Sequence, residues 1–300
     1  TEAQLAEVLA KIKKAEIAPY ADNTVKEPLI PANAKLKGSK VKKESKNEAL
    51  GTTTWVLKNG LKVVVKPTTF KADEVNVHMS AHFGQSSLTD EQYWTSALLP
   101  IMTNYMGVSK FSSTDLRKQL SGKNASVGVG VDDYEIGVGG QGSPKDLETL
   151  MQLIYLQFTD PRFSKDDFDV IMNQYRPYIE NAQTNPDYIS SVERMKTLYG
   201  NHFRRQQLTP AVLDMIKFEH IEPIYKALFS NAADFTTYIV GNVDLETLKP
   251  LVEKYIGSLP VSKKLAEKVD DKAMPVKGVV VNDFKVKMQQ PKVGLTRIYT

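Results

Sequence analysis

A chain of 300 residues, 41% hydrophobic and 25% charged, has the balance of a globular protein large enough to bury a sizeable core. Its 39 basic and 35 acidic side chains leave a net charge of +4, which by itself argues neither for nucleic acid nor for an anionic membrane. Zero cysteines exclude disulfides, thiol catalysis and cysteine-based zinc sites, and no stretch approaches the ~18 apolar residues of a helical membrane span.

The chain opens on a threonine with no signal peptide in view and ends on a strand-like stretch, VGLTRIYT, so it reads as an excerpt of a longer protein. Leu5, Val8, Leu9 and Ile12 recur at helical spacing and Pro19 follows, which predicts one amphipathic helix over residues 2 to 18. Residues 19 to 50 hold Pro28, Pro31 and Gly38 with Lys35, Lys37, Lys40, Lys42, Lys43 and Lys46, and few apolar side chains. That composition reads as a solvated connector, and the lack of aromatic side chains among the lysines argues against a nucleic-acid surface. Residues 1 to 50 are thus assigned to an N-terminal helix and linker.

From about Thr53, TWVLKNGLKVVVKP predicts two strands joined at Asn59-Gly60, a pair that tolerates the positive φ of a tight hairpin. EVNVHMSAHFG predicts a third strand, with Val75, Val77, Met79, Ala81 and Phe83 on one face and Asn76, His78, Ser80 and His82 on the other. A helix follows Thr89-Asp90 and runs toward Gly107, kinked at Pro100. Another starts at Ser112 or Ser113. ASVGVGV and YEIGVGG form a hairpin whose glycines alternate along strands, outside any phosphate-binding context, and so point to close backbone approach.

Helices dominate the next eighty or so residues. Ser143 with Asp146 and Ser164 with Asp167 are spaced as capping boxes, and further helices follow Asn185-Pro186, Thr209-Pro210 and Glu219. FTTYIVGNV predicts a buried strand, and Asp244 caps a last helix. Residues 51 to 262 are assigned to one α+β domain, with helices stacked on one face of a mainly antiparallel sheet. Residues 263 to 300 are assigned to a second linker and two strands, GVVVNDFKVKM and KVGLTRIYT, that open a following domain.

Four histidines are available for chemistry. His78 and His82 share a strand face but lie ~13 Å apart, too far to share a zinc whose nitrogen ligands sit within ~2.1 Å. A polar sheet face is the preferred reading. His202 stands beside Arg204 and Arg205, which disfavour a divalent cation, and His220 lies at a helix end with Glu219 and Glu222. There is no H-E-x-x-H, H-x-x-E-H or G-x-S-x-G. Asp132-Asp133 falls in a turn and Asp166-Asp167 in a first helical turn, where the dipole favours them. No catalytic residue and no metal ligand is assigned.

WVLKNGLKVVVKP, the strand ending in HFGQSS, FSSTDLRKQLSG, the glycine-spaced hairpin, FTDPRF, LYGN before Arg204-Arg205, and FTTYIVGNVDLETLKPLVEKYIGSLP occur in an order that resembles the pitrilysin or insulinase-like (M16) zinc metallopeptidases. The resemblance covers residues 53 to 260 and implies the fold shared by LuxS and the mitochondrial processing peptidase. In the family the catalytic half carries H-x-x-E-H; here the corresponding stretch, within Trp94 to Met102, reads WTSALLPIM. NQYRPY stands near the place of the family's distal glutamate. The departure matches the family's non-catalytic C-terminal half, which implies a structural and substrate-enclosing domain, inactive by itself. Zinc would then belong to the parent's catalytic half, and the partners would be that half and peptide substrates. Asn76, His78, Ser80 and His82 are the candidate peptide-contacting residues. A family-level expectation is a bacterial periplasm or cell envelope. A non-enzymatic scaffold subunit from the same family is the alternative function, and an enzyme with an unrecognised site is a third.

Overall fold

The computed structural model describes residues 2–14, 27–285 and 296. Helix α1, Glu2–Lys14, forms with Leu5 and Val8 exposed; its expected extension to residue 18 and the side chains of Leu9 and Ile12 lie outside the described residues. The body is built on seven strands: β1 Val41–Asn47, β2 Thr52–Leu57, β3 Lys62–Pro67, β4 Val75–Ala81, β5 Ala125–Val131, β6 Ile136–Gly142 and β7 Thr236–Gly241. They form one sheet in the order β1-β2-β3-β7-β4-β6-β5. Only the β3–β7 pair is parallel; the other pairs are antiparallel, as expected.

Period-two alternation decides which face is covered. Trp55, Leu57, Val63, Val65, Val75, Val77, Met79 and Ile239 are all buried on one side. Against them lie α2 Asp90–Ala97, α3 Leu99–Met106, α5 Leu147–Thr159, α9 Phe218–Phe229 and α10 Leu245–Lys254. Four further helices, α4 Ser113–Gln119, α6 Lys165–Ala182, α7 Pro186–Tyr199 and α8 Pro210–Leu213, complete the layer. Phe158, Phe229 and Phe235 stack edge and face in its centre, and the Tyr225 hydroxyl beside them donates to the Gln157 carbonyl at 2.9 Å. Several helix starts are fixed by side chains: Ser164, Asn185 and Asp244 accept from Asp167, Asp187 and Thr247 N–H groups. Gly60 takes φ +93° in the β2–β3 turn, as the hairpin requires. Gly140 lies so close to β5 that a Cβ there would sit 1.9 Å from the Ser126 carbonyl oxygen.

Three local expectations need correction. The lysine-rich stretch read as connector supplies β1, the edge strand beside β2. An edge strand needs backbone partners more than apolar side chains, and charge on it blocks further pairing. It is held by Glu253, which accepts from the Val41 N–H at 2.9 Å, and by Glu44, which accepts from Trp55 Nε1 at 3.1 Å. Instead of one kinked helix around Pro100 there are two, broken at Leu98, which places Pro100 in the first turn of α3, where its missing N–H leaves no hydrogen bond unmade. No strand forms over residues 278–285; the rest of the two terminal strands expected there falls largely outside the described residues.

Candidate functional site

The stretch from Trp94 to Met102, where a metal motif would lie, is closed into the core. Thr95, Ser96, Leu99 and Met102 are fully buried, and Trp94 and Leu98 nearly so. Ser96 Oγ donates to the Tyr93 carbonyl at 2.6 Å and accepts from Gln85 Nε2 at 2.8 Å, so its polarity is consumed locally. Trp94 Nε1, Thr95 Oγ1 and Ser86 Oγ find no partner among the described residues. The stretch is occupied by core packing. Among the described residues, no group of three His, Asp or Glu side chains is placed to hold a metal ion.

A second polar centre surrounds Arg204 and Arg205. Arg204 donates from Nη2 to the Leu88 carbonyl at 2.7 Å and from Nε to Asp90 at 2.8 Å, which pins its loop to the start of α2. Arg205 bridges two carboxylates, Asp133 at 2.7 Å and Asp271 at 3.0 Å. The Asp271 side chain is 1% exposed and also accepts from the Tyr134 hydroxyl at 2.8 Å and the Ala273 N–H at 3.1 Å. Burial works to raise the Asp271 carboxyl, but the Ala273 N–H, the Tyr134 hydroxyl and Arg205 outweigh it and hold it below the ordinary carboxylate range. Burial works to lower the Arg205 guanidinium, and Asp133 and Asp271 more than reverse that. Burial and the neighbouring Asp133 raise the Tyr93 phenol. Every charge here has a partner, so the arrangement is a clamp between the domain and residues 263–277 rather than a reactive centre.

The remaining polar surface is the sheet face opposite the helices. In its central row, the registers set Val64 beside Tyr238, Tyr238 beside His78, His78 beside Gly139 and Gly139 beside Gly128. Side chains therefore stop at His78. The imidazole lies over the glycines, since a Cβ on Gly137 or Gly139 would meet it at 2.8 or 2.7 Å. Beyond it opens a shelf of about 540 Å³ bordered by Asn76, His78, Asn104, Ser126 and Gln141.

Of the four candidate contact residues, Asn76 and His78 border this shelf. Ser80 is 8% exposed and donates to Glu135 Oε1 at 2.6 Å, which occupies it. His82 is exposed just past the end of β4. His202 caps a short 3-10 turn, its Nδ1 accepting from the Arg204 N–H at 3.3 Å, and His220 lies within α9 with Nδ1 buried and unpartnered among the described residues. Sequence reasoning missed Asn104, which arrives from α3, and Asp271, which lies in a stretch of linker composition. Nothing in their local sequence distinguishes either.

The profile of the peptidase M16 inactive domain matches residues 216–298. A PQQL-like zinc protease of Arabidopsis thaliana is 23% identical over 258 residues, 84% of this chain and 24% of that protein. The periplasmic protease PqqL from Escherichia coli superposes with a TM-score of 0.71 at 18% identity, over 92% of this chain and 30% of that chain. The peptidase M16 inactive domain from Pseudomonas fluorescens does so with a TM-score of 0.60 at 20% identity, over 73% of this chain and 53% of that one. The chain spans about a quarter of the length of the curated relatives it matches.

Proposed function

We propose that this chain, a domain of the M16 zinc-peptidase family of the inactive type, encloses and positions peptide substrate for a catalytic half elsewhere in its parent protein or on a partner chain. The observation that carries the reading is the contrast between the two faces of one sheet. The motif region is closed into the core, whereas the opposite face is left open and polar, with Asn76 and His78 on a shelf able to contact an extended chain. Peptide cleavage in the parent would then depend on zinc held by the catalytic half. Residues 51 to 262 form the domain in this proposal, with β1 added from the preceding stretch, and residues 263 to 300 lead into the next. A bacterial periplasm or envelope is the proposed compartment, supported by the periplasmic protease among the similar structures.

The test is complementation. Combined with the H-x-x-E-H half of its parent, the chain is expected to restore cleavage of an unfolded peptide that the half alone turns over slowly. A stable complex with no gain in cleavage would favour the scaffold alternative, and turnover by the chain alone would point to an unrecognised site.

A further inference from the structure

The open face carries a charge pattern that names the kind of peptide it takes, an inference that rests on the substrate-positioning reading above. Strand registers fix which residues share this face: Lys43 pairs with Val56, Val56 with Lys62, and Lys66 with Val240. Lys43, Lys62 and Lys66 are exposed, and among the described residues no ion pair joins any of them to a carboxylate. No strand position facing this side is Asp or Glu. At the rim, Glu74 is paired with Lys71 at 2.7 Å, whereas Glu135 keeps its charge, accepting from Ser80 at 2.6 Å on β4, on the other side of β7 from Lys62. The β1-to-β3 flank of the face therefore carries lysines with no ion pair among the described residues. The other is the uncharged glycine floor beside His78.

We propose that the open face binds extended acidic peptide segments, their carboxylates set against Lys43, Lys62 and Lys66. Lys43 and Lys62 are two strands apart, ~10 Å, and Lys62 and Lys66 are four residues apart, ~13 Å. At ~3.3 Å per residue, carboxylates four positions apart on one face of a chain extended along β3 match Lys62 and Lys66, while Lys43 adds its charge from the side. Between the lysines and the shelf lie the half-exposed Val64, Tyr238 and Val240, which give the intervening side chains apolar contact. Among the described strand residues of the face, Tyr238 and the neighbouring His78 imidazole are the aromatic rings, too few for a run of stacking platforms, so the pattern favours peptide over single-stranded nucleic acid.

The experiment measures binding of this chain to a labelled peptide with Glu at every fourth position, to its Gln counterpart, and to a single-stranded oligonucleotide. The Glu peptide is expected to bind roughly tenfold tighter than the Gln peptide at low salt, since pairs at Lys62 and Lys66 act together with the flanking charge of Lys43. Adding salt should erase most of the difference. The triple variant Lys43→Gln, Lys62→Gln, Lys66→Gln should abolish the preference, while Lys145→Gln, Lys263→Gln, Lys277→Gln should keep it. Equal binding of the two peptides would overturn the acidic preference and leave peptide positioning standing. A preference that survives the first triple variant, tighter binding of the oligonucleotide, or no binding of either peptide would also overturn it, and complementation alone would then judge the broader reading.

Discussion

Replacing Arg205 with methionine tests whether residues 263–277 are an integral part of this domain. The guanidinium lies between Asp133, whose side chain is 22% exposed, and Asp271, which is 1% exposed. Without it, Asp271 keeps the Tyr134 hydroxyl and the Ala273 N–H but loses its counter-charge. Breaking a buried pair by removing one partner costs about 3–5 kcal/mol. Because Asp133 can turn toward water, the expected loss is nearer 2–4 kcal/mol. Urea unfolding would measure it, and trypsin should cut faster at Lys268 and Lys272 as the segment detaches. The double variant Arg205→Met, Asp271→Asn leaves no buried charge at that contact, so it should recover at least about 1 kcal/mol relative to additivity. A loss within about 0.5 kcal/mol of zero for Arg205→Met, or strict additivity in the double variant, would refute the clamp.

The same carboxylate sets a pH signature. Its folded-state pKa is depressed below the unfolded value of about 3.9, so its contribution is complete above that pH and is lost as pH falls through the lower folded value. Asp271→Asn should therefore flatten the decline of unfolding free energy between pH 5 and pH 3 relative to the wild type. Gly140→Ala forces β5 and β6 apart and is expected to cost about 3 kcal/mol or more, or to prevent folding, whereas Gly130→Ala meets nothing within 4 Å and should stay within about 1 kcal/mol of the wild type. Thermal melts by circular dichroism separate the two. Leu99→Ala, at a fully buried position of α3, should cost about 2–5 kcal/mol, and a neutral result would mean that this region is looser than the packing indicates.

What could be read from the sequence follows from how local the signal is. Alternation in EVNVHMSA and the cap spacings at Ser164 and Asp244 depend on residues within one turn or strand, and the structure places strand and helices accordingly. β1 was hidden because its evidence is non-local: a VKKESKN strand is stabilised by β2 and by Glu253 over two hundred positions away, not by its own composition. Asp271 was hidden for the same reason. Its stretch has linker composition, and only the fold brings Arg205 and Tyr134 to it.

The candidate site obeys the same logic with a different consequence. A net charge of +4 over 300 residues excludes little, because composition cannot say on which surface the excess lies. Strand parity sorts the charges: Glu44 turns toward the α10 side and is satisfied there by Lys249 and Trp55, while Lys43, Lys62 and Lys66 face outward on the opposite side. A one-residue slip of β3 would carry Lys62 and Lys66 inward and Val63 and Val65 out, which burial of those valines forbids. The hydrophobic pattern that fixes the core therefore also fixes the sign of the open face. The side that buries Leu99 and Met102 and the outward surface with its lysines are two faces of one strand pattern.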